Sequence, residues 1–338
     1  MAYQNVSTPI FYINTLEWLS ASKASELPTD HYRTLPVSPS SYGEPEGESY
    51  TPQPVHGTFS DKSFVALLGH NLHKRDLDLY PDTTQWRFWV SVIADGNSLE
   101  GATGKINFNT YGTAYYADYN GFSIATFNGN GISNIALGSL THFEIGSIVM
   151  GTYYEMPHSP DLSLTLTREY GGTKTIDTKG GASLSNTMWS KAANWGDLPA
   201  WELGGSGFSN NNAWHMAKSG RRVWDLSFSY LQDSDVWPDT SNMNNYETTH
   251  PDGTIWSSSS GLAVDENAVF NEDTFYSQVI HKTNGGQLPF IFNPAGGGDN
   301  PNNNPDQFAI CKFDMKSFQF KQVANSVYNV KCKIREVW

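Results

Sequence analysis

Residues 221–231 read Arg-Arg-Val-Trp-Asp-Leu-Ser-Phe-Ser-Tyr-Leu (RRVWDLSFSYL), and the fold class turns on this stretch. In an extended chain Val223, Asp225, Ser227 and Ser229 fall on one side, and Trp224, Leu226, Phe228 and Tyr230 on the other. Side chains alternate across a strand, so the second, wholly apolar set is expected to face a core. The same alternation returns in Leu162–Thr167 (LSLTLT). It returns again between Val327 and Val337, where Tyr328, Val330, Cys332 and Ile334 interleave with Asn329, Lys331, Lys333 and Arg335. Ser63–Leu68 (SFVALL) is instead a continuous apolar run ended by Gly69, which fits a strand buried on both faces.

Working outward, Phe11–Leu19 is the first recognisable element. The proline-rich stretch Thr34–Gly57 reads as a long ordered loop or an arm laid on a neighbour. Leu77–Tyr80 and Trp86–Val92 read as strands with one solvated face. The aromatics between Asn107 and Asn134, mixed with Gly and Asn, suit hairpins with wide loops, and Phe143–Met150 and Thr173–Asp177 suit strands. Tyr170–Gly171–Gly172 interrupts the pattern, which places a module boundary at 168/169. One helix is expected near 272–283, stopped by Asn284–Gly285–Gly286. A short strand, Leu288–Phe292, a loop tip at 296–306 and a closing hairpin with its turn near Ala324–Asn325 complete the chain.

Composition agrees with an all-β class. Aromatics reach 14% against 16% charged residues, and aromatic residues fit a pleated, half-buried surface. The 338 residues suffice for two modules: a jelly-roll sandwich over 1–168 and a second β-rich module over 169–338. A net charge of −13, with no basic patch to neutralise phosphates, argues against a nucleic-acid partner. No run of about 18 apolar residues is present to span a bilayer, and the N-terminus lacks the pattern of a secretory signal. The chain is therefore expected to be made in a reducing cytoplasm, with Cys311 and Cys332 as thiols, and to leave by lysis if it leaves at all.

Chemistry-bearing patterns are sparse. His70 and His73 are spaced for a helix but follow a strand and a glycine, and nothing nearby completes a metal-ligand set. Glu144, Glu155, Asp161, Glu169, Asp225, Asp233 and Asp235 are the carboxylates from which a glycosidase pair would have to come. Neither a nucleophile elbow nor a phosphate-cradling loop occurs. No catalytic residue, metal or cofactor is expected. Trp195, Trp201, Trp214, Trp237 and Trp256 sit in polar surroundings, unlike Trp224. Such rings either pack loops and neighbouring subunits or stack on sugars, so these five are the candidate carbohydrate or subunit contacts.

Several phrases together resemble structural proteins of bacteriophage tails. SFVALLGHNL (63–72) is similar to an apolar strand ending in Leu-Gly-His-Asn-Leu within their galactose-binding-like, discoidin-type β-sandwich. FEIGSIVMGTYYEMPHSPDLS (143–163) resembles a later strand pair. GRRVWDLSF (220–228), a helix, GGQLPFIFNP (285–294) and a closing strand ending IREVW are similar to their C-terminal module. The resemblance implies a virion protein of the tail tip, baseplate, collar or fibre attachment, assembled in the host cytoplasm from copies of itself and other tail proteins. It implies no enzymatic activity, and His70 and Asn71 would then only fix a turn. The alternatives are a carbohydrate-binding module for host-surface glycan and, behind it, a glycan-degrading enzyme.

Overall fold

The computed structural model describes residues 6–22, 40–42, 49–50, 60–68, 88–94, 104–107, 114–117, 122–128, 132–139, 143–145, 147–162, 164–169, 173–187, 221–238, 272–303 and 307–337. Its strands are β1 (Thr8–Asn14), β2 (Ser40–Tyr42), β3 (Ser49–Tyr50), β4 (Ser63–Leu68), β5 (Phe88–Ala94), β6 (Gly104–Asn107) and β7 (Ala114–Ala117). Next come β8 (Phe122–Phe127), β9 (Ile132–Ser139), β10 (Phe143–Ile145), β11 (Ser147–Glu155), β12 (Thr165–Glu169), β13 (Thr173–Asp177) and β14 (Ser183–Thr187). β15 (Arg221–Gln232), β16 (Phe290–Gly297), β17 (Ala309–Phe313), β18 (Gln319–Ala324) and β19 (Val327–Glu336) complete the set. Among the described residues helix is confined to short pieces: Thr15–Ser22, Asp233–Val236, and a π-turn Phe275–Ile280 running into a 3₁₀ turn His281–Thr283. The protein is all-β, of antiparallel sheets in the manner of a β-sandwich.

Among the described residues eleven strands share one sheet, in the order β12-β15-β19-β17-β16-β1-β11-β4-β8-β7, with β18 also on β19. Strands from either side of residue 168 meet in it, since β1 pairs with both β11 and β16. β5, β6, β3 and β9 form a four-stranded sheet, while β2 pairs with β10 and β13 with β14.

The middle of the large sheet is buried on both faces. Phe11 and Ile13 of β1 join Phe290 and Phe292 of β16, Trp224 and Phe228 of β15, and Phe275 and Val279 of the π-turn in one core. Ile10 and Tyr12 point the other way, into a core with Phe64, Val149, Ile291 and Ile310. Strands buried on both faces carry continuous apolar runs, which is how β4 and β16 are written. Phe11 is the hub of the first core, with ring centroids 5.2–6.0 Å from Phe275, Phe290, Phe292 and Phe313.

Several expectations are met residue by residue. In β15 Trp224, Leu226 and Phe228 are buried. In β19 Val330, Cys332 and Ile334 are buried, with Lys331 and Lys333 exposed between them. Cys311 and Cys332 are free thiols in the core. Burial pushes the Cys332 thiol up to about 12 and holds Cys311 well above its ordinary value, so both stay protonated.

Other expectations need correction. Tyr230, expected in the core, is 75% exposed. The β15–β19 register slips between Phe228 and Leu231, so Leu231 takes the inward position that strict alternation assigns to Tyr230. The described parts of Thr34–Gly57 include β2 and β3, which pair within the chain rather than on a neighbour. The Phe143–Met150 strand is two strands with different partners, because β10 pairs with β2 while β11 lies between β1 and β4. Leu162–Thr167 starts late: β12 begins at Thr165 and Leu162 is fully exposed. The helix near 272–283 is the nine-residue π/3₁₀ stretch, and its Asn284–Gly285–Gly286 stop lies at positive φ as expected. Leu77–Tyr80, His70 and His73 lie outside the described residues.

Candidate functional site

The π-turn is set up by its first residue. Thr274 is extended and its hydroxyl accepts from the Ser277 amide, while the Gln278 amide donates to the Thr274 carbonyl. Phe275, Val279 and Ile280 then enter the first core, and Gln278 and Lys282 turn toward β11. Lys282 Nζ donates to Gln278 Oε1 at 2.7 Å and to Thr152 Oγ1 at 3.2 Å, and Thr152 Oγ1 donates to Gln278 Oε1 at 2.9 Å. Gln278 Nε2 closes the network on the Glu272 carbonyl. Lys282 is buried and has no carboxylate within ion-pair distance among the described residues. Burial lowers its pKa to about 8, against the opposing charge of Asp273. An amine of that pKa is nucleophilic near neutral pH, yet Lys282 is 3% exposed, and its geometry suits tying the turn to β11.

Beside this network the chain turns from β1 into helix 15–22. Asn14 caps it: Oδ1 accepts from the Glu17 amide and Nδ2 donates to Glu17 Oε2, each at 3.3 Å. Burial raises the Glu17 carboxyl to about 7, with Lys312 and Asn14 working against the shift. The Trp18 ring lies 5.4 Å from that of His281, whose pKa is lowered by burial and then by Lys282. π-turns recur at functional sites, which singles out this corner.

An aromatic cluster gathers where helix 233–236 meets the π-turn and the β18–β19 hairpin. Trp237 is half-buried, its ring 4.6 Å from Phe320, 5.4 Å from Tyr276 and 6.4 Å from Tyr328. The structure thus places Trp237 on three rings of its own chain. Trp195, Trp201, Trp214 and Trp256 lie outside the described residues.

The carboxylates have local partners. Glu155 accepts from the Gly298 amide, Asp161 from Ser229 Oγ, Asp235 from the Gln232 amide, and Glu169 pairs with Arg335. Asp225 is exposed on β15, and Glu144 lies on β10. Among the described residues no three His, Cys, Asp or Glu group to hold a metal, and no helix is long and apolar enough to cross a membrane. The most enclosed ion pair is Arg222–Glu336: Nη2 meets Oε1 at 2.9 Å, Nε meets Oε2 at 3.2 Å, and a further Nη2 bond reaches the Phe308 carbonyl. It clamps β15 to the end of β19.

Sequence reasoning missed Lys282, Gln278 and Thr152, although a Gln and a Lys four apart, flanking Val279, were a visible polar pair on a helical face. It also missed Asn14 and Glu17, whose Asn-x-x-Glu spacing is a helix-start signature.

These features define an antiparallel, all-β protein with short helical turns, in which the Lys282–Gln278–Thr152 and Arg222–Glu336 groups satisfy one another in the interior. Comparison with protein-family models, curated proteins and solved structures finds no match to this chain.

Proposed function

We propose that this chain is a structural protein of a bacteriophage tail, at the tip, baseplate, collar or fibre attachment. It works by symmetric association with copies of itself and with other tail proteins, in the virion. The phage part of the reading rests on the phrases at 63–72, 143–163 and 220–294. The assembly part is carried by one observation, the β13–β14 hairpin. Its strands pair with each other and with no other strand among the described residues. Residues 175–177 and 183–185 are exposed, so both faces meet solvent. Ile176 and Leu184 are direct register partners, 55% and 61% exposed. A lone two-stranded ribbon is marginal in water and gains stability when its apolar face is covered. An arm of this kind fits a neighbouring copy, because a symmetric assembly repeats one such contact around its axis.

The test is mass photometry and electron microscopy of the purified chain and of the Ile176→Asp/Leu184→Asp variant. The expected result is a closed ring or small symmetric oligomer for the natural sequence, and a folded monomer for the variant. A natural chain that stays monomeric at high micromolar concentration sinks the assembly reading.

A second reading, recognition of host-surface glycan, is favoured by a specific observation: an exposed aromatic at strained backbone geometry on a sheet face that also carries two exposed lysines without ion pairs among the described residues.

A further inference from the structure

The outward side of β15, β19 and β18 carries its own pattern. β19 presents Asn329, Lys331, Lys333 and Arg335 on the face opposite the core, and in register with them stand Ser227 and Asp225 of β15 and Gln319 and Lys321 of β18. This face sets four cations against two nearby carboxylates, Asp225 in register with Lys333 and Asp161 on Ser229 Oγ. Two of the cations are neutralised, Lys333 by Asp314 and Arg335 by Glu169. Lys331 and Lys321 are exposed and form no ion pair among the described residues. The unpaired charge lies toward the end of the face where β15 bulges.

At that bulge stands Tyr230, with φ +64°. A bulky residue at positive φ is strained and persists only where its surroundings hold it. Here they do. The Tyr230 amide donates to Asn329 Oδ1, and the preceding Ser229 hydroxyl donates to Asp161 Oδ2. The Asp161 amide in turn donates to the Ser227 carbonyl. The product of the strain is an aromatic ring that is 75% exposed, on a backbone anchored to Asn329. Core packing does not account for it, since Leu231 takes the buried position.

We infer that the outer face of β15–β19–β18 binds a carboxylate-bearing oligosaccharide, with Tyr230 stacking on a sugar ring and Lys331 and Lys321 meeting its acid groups. Asn329 Oδ1 is taken by the Tyr230 amide, which leaves Nδ2 to donate to a sugar hydroxyl. A rigid ring with a polar tip offers contact area at little entropic cost, and the lysines supply charge-assisted hydrogen bonds. This gives the glycan reading a place and a ligand class, and it is independent of the hairpin.

The experiment is calorimetric titration of the full chain with tetragalacturonate, sialyllactose and hyaluronan tetrasaccharide. A neutral galacto-tetrasaccharide and polyglutamate are run alongside, and oligomeric state is followed separately by mass photometry. Tyr230→Gly is the informative variant, because glycine adopts positive φ freely; it keeps the fold while deleting the ring. At least one acidic saccharide is expected to bind, more weakly as salt rises. Tyr230→Gly and Lys331→Gln are each expected to lose about tenfold in affinity, as the removal of a contact of roughly 1.4 kcal/mol would produce. Three results would overturn the proposal: no binding by any of the three acidic saccharides, equal binding by folded Tyr230→Gly, or polyglutamate binding as tightly as the saccharides. None of these alters the oligomer readout, so failure of this site and failure of the assembly reading are distinguishable.

Discussion

Replacing Lys282 by Met is expected to stabilise the protein at neutral pH. Lys282 is 3% exposed, and burial lowers its pKa from 10.5 to about 8. At about 1.4 kcal/mol per pKa unit, burying the charged form costs about 3 kcal/mol. The folded-state value lies below the unfolded one, so the unfolded chain binds the proton more tightly. That penalty is fully present below pH 8, and the natural protein gains stability as pH rises from about 8 toward 10.5. Methionine has a similar length and no charge to bury. It forfeits two hydrogen bonds, but Gln278 Oε1 keeps its donor in Thr152. Allowing about 1 kcal/mol for each lost bond, Lys282→Met gains on the order of 1 kcal/mol at pH 7. The gain shrinks and then reverses by pH 10, where the lysine is neutral and only its hydrogen bonds count. The assay is urea denaturation of both proteins across pH 7–10, read as the difference between them, so that groups common to both cancel. A variant destabilised equally at pH 7 and pH 10 would refute the charge-burial reasoning.

Glu336→Gln leaves Arg222 enclosed without its carboxylate and is expected to cost about 3–5 kcal/mol, seen as a lower urea midpoint. Glu17 has a raised folded-state pKa, so the natural protein loses stability as pH climbs from 4.5 through about 7. Glu17→Gln should therefore match it in thermal midpoint near pH 4.5 and exceed it at pH 8, and equal midpoints at pH 8 would count against this. Gly151→Ala would drive a Cβ into the Ile13 carbonyl and Thr15, where β1 hands over to its helix, and should abolish soluble expression at 37 °C.

The strands most legible in the sequence have one wet face. In β19, Lys331 and Lys333 punctuate Val330, Cys332 and Ile334, and period two follows directly from the pleat. β15 was legible as far as Phe228, then misled, because Ser229–Tyr230 carries no glycine or proline to announce a bulge. β1 was hidden for another reason. Pro9, Ile10, Phe11, Tyr12 and Ile13 are continuous and mostly apolar, and such a run shows no period when both faces are buried. Its placement between β11 and β16, about 140 and 280 residues away in sequence, is a non-local pairing that no local pattern encodes. Exposure was equally illegible at Ile176 and Leu184, since an apolar residue alternating with polar ones reads the same whether its face meets a core or solvent. Of the five candidate tryptophans only Trp237 is described, and its half-buried ring packs on Phe320 and Tyr276 of its own chain.

The distribution of stabilisation suits the division of work proposed for the chain. β1, β16 and β17 are buried on both sides, and the Lys282 network ties the π-turn to the neighbouring β11, so the centre of the sheet resists local opening. The β12–β15–β19–β18 end differs: one face packs on the core and the other meets water, with its last buried clamp at Arg222–Glu336. Beyond β12 the chain passes into the β13–β14 ribbon, which has no sheet partner among the described residues. Contacts that form late, at a surface presented by a rigid centre, can be covered or released without disturbing the fold. The ribbon offers an exposed apolar pair, and the Tyr230 face offers exposed aromatic and cationic groups. A subunit of the proposed kind would need two separate surfaces, one covered on assembly and one left free for a ligand. If Ile176→Asp/Leu184→Asp abolished saccharide binding along with assembly, the two surfaces would be one and the separation would fail.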